Sequence, residues 1–136
     1  MSMTDRIWRL GRGEGPVVAT AIHDGHDVRA ELMPHMVLDD AARLREEDPF
    51  TGRWAETAPT HVVGLRSRFE VDLNRPRAKA VYRTPDDAWG LEVWRGELPE
   101  DVVERSLLGY DDFYAALERL YRSHTGLYGH VLVLDL

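Results

Sequence analysis

Side chains that could bind a metal ion or transfer a proton are concentrated in HDGH, residues 23–26. The apolar run before them, residues 17–22, predicts a buried strand. Because a strand end holds a side chain more rigidly than a loop does, His23 and His26 are candidate metal ligands, and Gly25 predicts a sharp turn between them. Two histidines need a third partner from elsewhere to hold one metal ion. The alternative is an ordinary structural histidine at the end of a strand.

A second group suited to chemistry lies in RSRFEVDLNRPR, residues 66–77. Its arginines are Arg66, Arg68, Arg75 and Arg77. Guanidinium groups bind carboxylates through two parallel hydrogen bonds, and Asn74 could add another. The segment therefore predicts a site for a small anionic substrate. The alternative is a solvated surface on which these arginines pair with Glu70 and Asp72.

Composition limits the classes of function. The chain has 136 residues, which corresponds to one domain or part of one. It contains no cysteine, so any metal must be held by histidine or carboxylate side chains. A net charge of −7 argues against nucleic acid or an anionic membrane as a partner. With no long apolar run and no signal-peptide pattern, the expected location is the cytoplasm.

The first half of the chain reads as strands with one helix. Residues 7–10 predict a short strand, and the glycine-rich residues 11–15 predict a hairpin turn into the strand over residues 17–22. A dinucleotide-binding loop is excluded because such a loop opens a helix rather than a strand. Residues 35–48 have apolar positions at helical spacing, namely Met36, Val37, Ala41 and Leu44. Residues 60–74 begin as a second apolar strand.

The second half predicts one amphipathic helix and a final strand. The helix covers residues 110–126, with Asp111 or Asp112 as its cap and Gly126 after its end. Its apolar face consists of Phe113, Leu117, Leu120 and Tyr121. Residues 130–136 are almost continuously apolar, which is typical of a strand covered on both faces. Strands that alternate with helices indicate an α/β sheet with layers on each side.

Taken together, these motifs resemble a known family. In order along the chain they are IHDGH, EEDPFTGRW, SRFEVDLNRPR, YDDFYAAL and VLVLDL. They resemble the N-formylglutamate amidohydrolase family over residues 17–136, and DLNRP with the preceding SRF is the most specific part. The resemblance implies the phosphorylase/hydrolase-like α/β fold of zinc carboxypeptidases and aspartoacylases, a mixed sheet with helices on both faces. It also implies hydrolysis of an N-acyl amino acid such as N-formylglutamate.

The resemblance implies zinc as the cofactor and assigns candidate ligands. His23 matches the first histidine ligand of the family. Asp48 or Glu46 lies where a second, acidic ligand is expected. The related carboxypeptidases use His-x-x-Glu, and His26 occupies that glutamate position, so it competes for the same role.

The resemblance also implies a substrate site and a larger domain. Asn74 and Arg75 match the Asn-Arg pair that binds the substrate carboxylate, and Arg68 could assist them. A further metal ligand and the general base are expected beyond Leu136. Residues 1–136 are therefore expected to form a single α/β domain that is the N-terminal part of a longer amidohydrolase domain.

Two alternatives remain from the sequence. The first is a non-catalytic carboxylate-binding or scaffold module of the same fold without the metal, in which Arg75 matters for binding and His23 does not. The second is a related metalloamidase that acts on another acyl-amino-acid substrate at the same site. In the enzymatic interpretations the partner is a small anionic N-acyl amino acid, with no nucleic acid and no membrane.

Overall fold

A four-stranded mixed β-sheet forms the centre of the computed structural model, which describes residues 6–136. The strands are β1 (Trp8–Gly11), β2 (Val17–Ala21), β3 (Thr60–Gly64) and β4 (Leu132–Asp135). Their order across the sheet is β1-β3-β2-β4. Both β3 and β4 run parallel to β2, whereas β1 is antiparallel to β3. The predicted α/β class with a mixed sheet is confirmed.

Helices cover both faces of this sheet. The α-helices are α1 (Asp40–Glu46), α2 (Thr51–Ala55) and α3 (Glu100–Tyr128), and short 3-10 helices lie at Ala30–His35, Arg77–Lys79 and Pro85–Ala88. Neighbouring residues of a strand point to opposite faces of a sheet. Accordingly, Val62 of β3 packs with Phe113 and Leu120 of α3, while the adjacent Val63 packs with Ala55 of α2.

A third group of buried apolar side chains lies among the connecting segments. It includes Leu32, Phe69, Tyr82, Trp94 and Val103. The indole N–H of Trp94 donates a hydrogen bond to the main-chain oxygen of Tyr82 at 2.6 Å. This cluster fixes the arginine-rich segment 66–77 and the chain that follows it, although little of that region is regular secondary structure.

The predicted hairpin at residues 11–15 is wrong, because β3 lies between β1 and β2. The connection instead passes closely over the start of β3. The N–H of Gly13 donates to the hydroxyl of Thr60 at 3.1 Å, and a Cβ atom at Gly13 would lie 2.6 Å from Pro59. These glycines therefore allow a close crossing rather than a tight turn.

The helix predicted over residues 35–48 is shorter in the structure, and it buries a different face from the predicted one. Helix α1 begins after Asp39, whose side chain accepts a hydrogen bond from the N–H of Ala42 at 2.8 Å. Its buried side chain is Arg43, at 4% exposure, whereas Leu44 is 43% exposed. The apolar spacing thus identified a helix but not the face that it buries.

The predicted helix over residues 110–126 is the second part of α3. The helix begins ten residues earlier than residue 110, at Glu100, and so Asp111 does not cap it but pairs with Arg77 at 2.8 Å. Gly126 lies within the helix, which ends at Gly129 with a φ of 77°. The predicted apolar face does pack on the sheet. Within the described residues, neither α3 nor any shorter helix has the length and apolar character needed to cross a bilayer.

The expectation that the last strand is covered on both faces is not met within residues 6–136. Strand β4 pairs only with β2 and forms an edge of the described sheet. Of its apolar side chains, Leu132 is 53% exposed and Leu134 is 48% exposed among these residues.

Gly25 brings together the segments that follow β2 and β3. It lacks the positive φ expected of a sharp glycine turn. A Cβ atom at this position would instead lie 2.3 Å from the carbonyl carbon of Leu65 and 2.5 Å from the nitrogen of Arg66. The two segments also form an isolated parallel bridge between Asp27 and Arg66. The glycine therefore provides space rather than turning freedom.

We expect Gly25→Ala to lower the free energy of unfolding by about 2–3 kcal/mol, because the added methyl meets main-chain atoms that cannot move aside easily. Gly126→Ala is the matched control, since nothing lies within 4 Å of its added Cβ. That change in a helix should raise the free energy by about 0.5–1 kcal/mol. Urea unfolding followed by circular dichroism measures both values. Equal midpoints for Gly25→Ala and the unaltered protein would contradict the close-approach argument.

Candidate active site

His23 lies two residues beyond β2 and is buried between two carboxylates. Its Nε2 atom is 2.7 Å from Oδ1 of Asp72, and its Nδ1 atom is 3.6 Å from Oδ2 of Asp48. The main-chain oxygen of His23 also accepts a hydrogen bond from the N–H of Asp48 at 2.9 Å. Asp72 is almost fully buried, whereas the side chain of Asp48 is 50% exposed. The carboxylate of Asp72 is thus buried, whereas that of Asp48 is accessible to solvent.

The two carboxylates determine which nitrogen of the His23 imidazole carries a proton. An ionised carboxylate only accepts hydrogen bonds, so the short contact with Asp72 assigns a proton to Nε2. In the neutral ring, Nδ1 then carries a lone pair that faces the carboxylate of Asp48. Two electron-pair donors that face one another require a cation or a proton between them. A proton or a cation between Nδ1 of His23 and the carboxylate of Asp48 would therefore stabilise this pair.

Asp72 is the centre of a buried hydrogen-bond network. Besides His23, its Oδ1 atom accepts from the N–H of Asn74 at 2.8 Å. Its Oδ2 atom accepts a hydrogen bond from the hydroxyl of Tyr82. The same oxygen lies 3.3 Å from Nη2 of Arg68 and 3.5 Å from Nε of Arg75. One carboxylate therefore fixes the histidine and both arginines.

These contacts keep Asp72 ionised. Burial alone would raise the pKa of Asp72, but hydrogen bonds from His23, Tyr82 and the main chain of Asn74 hold that pKa well below its usual range. Burial and the neighbouring carboxylate raise the pKa of Tyr82, so its hydroxyl stays protonated and continues to donate. The network is consequently a stable arrangement of one anion and several donors.

The two arginines beside Asp72 differ in how many nitrogens they have free. Arg68 donates to the main-chain oxygen of Glu46 at 2.8 Å and to the hydroxyl of Tyr82 at 3.2 Å, in addition to its contact with Asp72. Arg75 approaches Asp72 only through Nε, and within residues 6–136 its two terminal nitrogens form no hydrogen bond. Its guanidinium carbon lies 4.3 Å from the centre of the Tyr82 ring. Arg75 is therefore the arginine that can bind an incoming anion.

The side chain of Asn74 lies near the same edge of the sheet. It lines a cavity of about 130 Å³ between α3 and the ends of β2 and β4. Thr20 and Asp135 line this cavity too, and the hydroxyl of Thr20 donates to Asp135 at 2.7 Å. The structure therefore places Asn74 and Arg75 on the same side of the molecule as His23, through the shared neighbour Asp72.

His26 belongs to a different cluster from His23. Its Nδ1 atom is 2.6 Å from Oε2 of the fully buried Glu47, whose other oxygen accepts a hydrogen bond from Ser67. Arg43 donates to the main-chain oxygen of His26 at 2.6 Å. Glu46 lies at the end of α1, where its main-chain oxygen binds Arg68. Of the four candidate metal ligands, the structure pairs His23 with Asp48 and gives His26 a partner of its own.

Residues 6–136 contain no cluster of three or more histidine and carboxylate side chains arranged to hold a metal ion. His23 and Asp48 form a pair, so a complete tetrahedral site would need further ligands.

The sequence analysis named Asp72 only as an ion-pair partner of solvated arginines, and it assigned no role to Tyr82 or Glu47. The pairing with Arg68 and Arg75 is present, but Asp72 is buried rather than solvated. Asp72 stands in the quoted DLNRP motif and alternates with the apolar Val71 and Leu73. A single carboxylate within an apolar segment indicates a buried group that requires hydrogen-bond or ion-pair partners, and this pattern could have identified Asp72. Glu47 and Tyr82 gave no comparable signal, because their partners lie far away in the sequence.

Comparison with known proteins identifies the family of this chain. A sequence model of the family described as N-formylglutamate amidohydrolase matches residues 15–136. The chain belongs to the N-formylglutamate amidohydrolase family. The resemblance noted in the sequence is therefore confirmed.

A solved structure confirms the fold expected for the N-formylglutamate amidohydrolase family. The chain is similar to the crystal structure of N-formylglutamate amidohydrolase from Ralstonia eutropha JMP134, with a TM-score of 0.77 and 21% sequence identity. The match covers 94% of this chain and 55% of that one, so this chain spans about half the length of that protein. No curated protein sequence matches the chain.

Replacing Asp72 should reveal its function as an anchor. We expect Asp72→Asn to lower the free energy of unfolding at pH 7 by about 3 kcal/mol, because it leaves buried donors without an anionic partner. The folded-state pKa of Asp72 lies below its unfolded value of about 3.9, so its stabilisation is complete above that pH and is lost as the pH falls further. Urea unfolding at pH 7, 4, 3 and 2 measures this dependence.

Asp112→Asn is the matched control, since Asp112 is exposed on α3. The stability difference between Asp72→Asn and the unaltered protein should shrink below about pH 4, whereas Asp112→Asn should match the unaltered protein throughout. A difference that stays constant down to pH 2 would show that the carboxylate charge is not what stabilises the fold.

Proposed function

We propose that this chain supplies the metal-binding and carboxylate-binding side chains of an amidohydrolase that cleaves N-acyl amino acids such as N-formylglutamate. The observation that carries the proposal is His23 held between Asp72 and Asp48, with Arg75 held by the same Asp72. Family membership supports this class of reaction. Hydrolysis of N-formylglutamate would yield glutamate and formate.

The donor set at His23 fits a zinc ion. Nitrogen and oxygen donors are ordinary zinc ligands, and two donors bound at about 2.0–2.1 Å in a tetrahedral arrangement lie about 3.3 Å apart. The observed 3.6 Å between His23 Nδ1 and Asp48 Oδ2 is close to that separation. A carboxylate on the far nitrogen of a ligating histidine orients the ring and increases its basicity, and Asp72 occupies that position. His23 and Asp48 are thus the residues that would hold the metal.

Arg75 fits the binding of the amino-acid carboxylate. Its free terminal nitrogens offer the parallel pair of donors that a carboxylate accepts. Because Asp72 and Tyr82 restrict the guanidinium, a bound carboxylate would be held at a fixed direction from His23. Asn74, at the neighbouring cavity, could donate an additional hydrogen bond.

Zinc in such a site lowers the pKa of a bound water and polarises the amide carbonyl. The residues of this chain would contribute orientation: Asp72 keeps the proton on Nε2 of His23, and Arg75 would fix the amino-acid carboxylate of the substrate. We expect the general base to come from outside these 136 residues, as the resemblance implies.

A carboxylate-binding module without a metal is the second candidate function. It is favoured by the absence, within residues 6–136, of three or more histidine and carboxylate side chains arranged to hold a metal ion, whereas Arg75 has free terminal nitrogens. In that case Arg75 would act alone. The two candidates differ in the importance of His23.

The test measures bound zinc by mass spectrometry and the dissociation constant of N-formyl-L-glutamate by calorimetry. We expect His23→Ala and Asp48→Asn to weaken zinc binding by more than about 100-fold, since each removes a direct ligand. His130→Ala is the control, because β4 runs parallel to β2, so His130 before β4 and His23 after β2 lie at opposite ends of the strands. Arg75→Lys should retain zinc and weaken the binding of N-formyl-L-glutamate about tenfold or more.

The outcomes separate the candidates. Zinc binding that is lost with His23 and retained with His130 supports the hydrolase. Binding of N-formyl-L-glutamate that requires Arg75 but is indifferent to zinc and to His23 supports the module. Failure of the unaltered protein to bind either zinc or N-formyl-L-glutamate would contradict both.

A further inference from the structure

Trp89 adopts a main-chain conformation that is unfavourable for its side chain. Its φ of 53° and ψ of 28° lie in the left-handed region, and within residues 6–136 the only other non-glycine residue with positive φ is Phe50. Bulky residues rarely occupy this region unless their surroundings impose it. Strain of this kind is often retained where it places a side chain for function.

The turn around Trp89 imposes this conformation. Trp89 follows the 3-10 helix Pro85–Ala88, whose start is fixed by reciprocal hydrogen bonds between Thr84 and Asp87. The N–H of Gly90 donates to the main-chain oxygen of Pro85 at 2.7 Å and closes the turn. The position of the indole ring is therefore set by the turn rather than by burial of the ring.

The ring of Trp89 is 56% exposed, yet it contacts both arginines of the site. Its centre lies 5.0 Å from the guanidinium carbon of Arg68 and 5.5 Å from that of Arg75. It also meets the ring of Tyr82 edge to face, with centres 5.8 Å apart. These distances are within the range of cation–π attraction, which is strongest for tryptophan.

Arg75 needs such support more than Arg68 does. Arg68 is fixed by three hydrogen bonds, whereas Arg75 is held by one Nε contact and by aromatic rings. A long side chain with free terminal nitrogens loses conformational entropy when it binds a ligand, and preorganisation reduces that loss. The rings of Tyr82 and Trp89 restrict the same guanidinium without using its donors.

We propose that Trp89 is a positioning residue that orients the guanidinium of Arg75 toward the carboxylate of the N-acyl amino acid. This inference rests on the proposed function of Arg75. In this proposal, the exposed indole and its strained turn increase the affinity for the substrate and do not serve to stabilise the fold.

The decisive variant is Trp89→Gly, because glycine adopts a positive φ without strain and keeps the turn while removing the ring. Trp89→Asn is a second variant, since asparagine tolerates the same conformation. Trp89→Phe retains an aromatic face. Trp54→Ala is the control, because Trp54 is also exposed, at 63%, and lies on α2 away from the arginines.

The experiment measures the dissociation constant of N-formyl-L-glutamate by calorimetry on metal-depleted protein, together with thermal unfolding. We expect Trp89→Gly and Trp89→Asn to bind about tenfold more weakly, Trp89→Phe about two- to threefold, and Trp54→Ala unchanged. The α-amide of N-formyl-L-glutamate should bind weakly to every variant, with no dependence on Trp89. Where formate release is measurable, Trp89→Gly should raise KM and leave kcat within about twofold.

The inference fails if the unaltered protein binds N-formyl-L-glutamate and Trp89→Gly and Trp89→Asn bind it equally well. It also fails if both variants lose thermal stability while Trp89→Phe restores stability but not affinity, since Trp89 would then be a structural residue. No binding by the unaltered protein would instead refute the proposed function, and the role of Trp89 with it.

Discussion

The buried carboxylate of Asp72 is the group on which the geometry of the candidate site depends. An ionised carboxylate in a protein interior is costly unless hydrogen-bond donors surround it. Asp72 meets this requirement with the imidazole of His23, the hydroxyl of Tyr82, a main-chain N–H and two guanidinium groups. The contacts with Asp72 therefore fix the position of each donor. The histidine and Arg75 consequently have a fixed relation, even though they belong to different segments of the chain.

The sheet and its helices serve to bring those segments together. Parallel pairing of β2 with β3 places their carboxyl ends side by side, which is where ligands gather in α/β sheets. Gly25 then lets the two following segments approach more closely than any other residue would permit. The apolar cluster around Phe69 and Tyr82 holds the second segment in place. The site is thus built from connecting segments whose shape is determined by packing rather than by regular secondary structure.

Much of this architecture could be predicted locally. Apolar runs located β2, β3 and β4, helical spacing located the face of α3, and His23 was placed correctly at a strand end. The start of α3 also has a local signal, since Pro99 precedes the acidic Glu100 and Asp101 of the first turn.

Other features could not be obtained from local pattern. The insertion of β3 between β1 and β2 depends on pairing between distant segments, and so the glycine-rich connection was mistaken for a hairpin. In α1, Arg43 is buried because it binds the main chain of His26, a contact that overrides the apolar spacing of the helix. The buried hydrogen bonds of Glu47 could likewise not be predicted, since its partners His26 and Ser67 lie about 20 residues away on either side.

The parallel pairing of β2 and β3 also determines when the site can form during folding. His23 and Asp72 are separated by 49 residues, and a parallel pair must close its whole connecting segment before it gains any contact. Because contacts within short stretches of chain do not join these two groups, we expect their hydrogen bond to form late in folding. The ligand-binding geometry would then arise only once the tertiary structure is nearly complete.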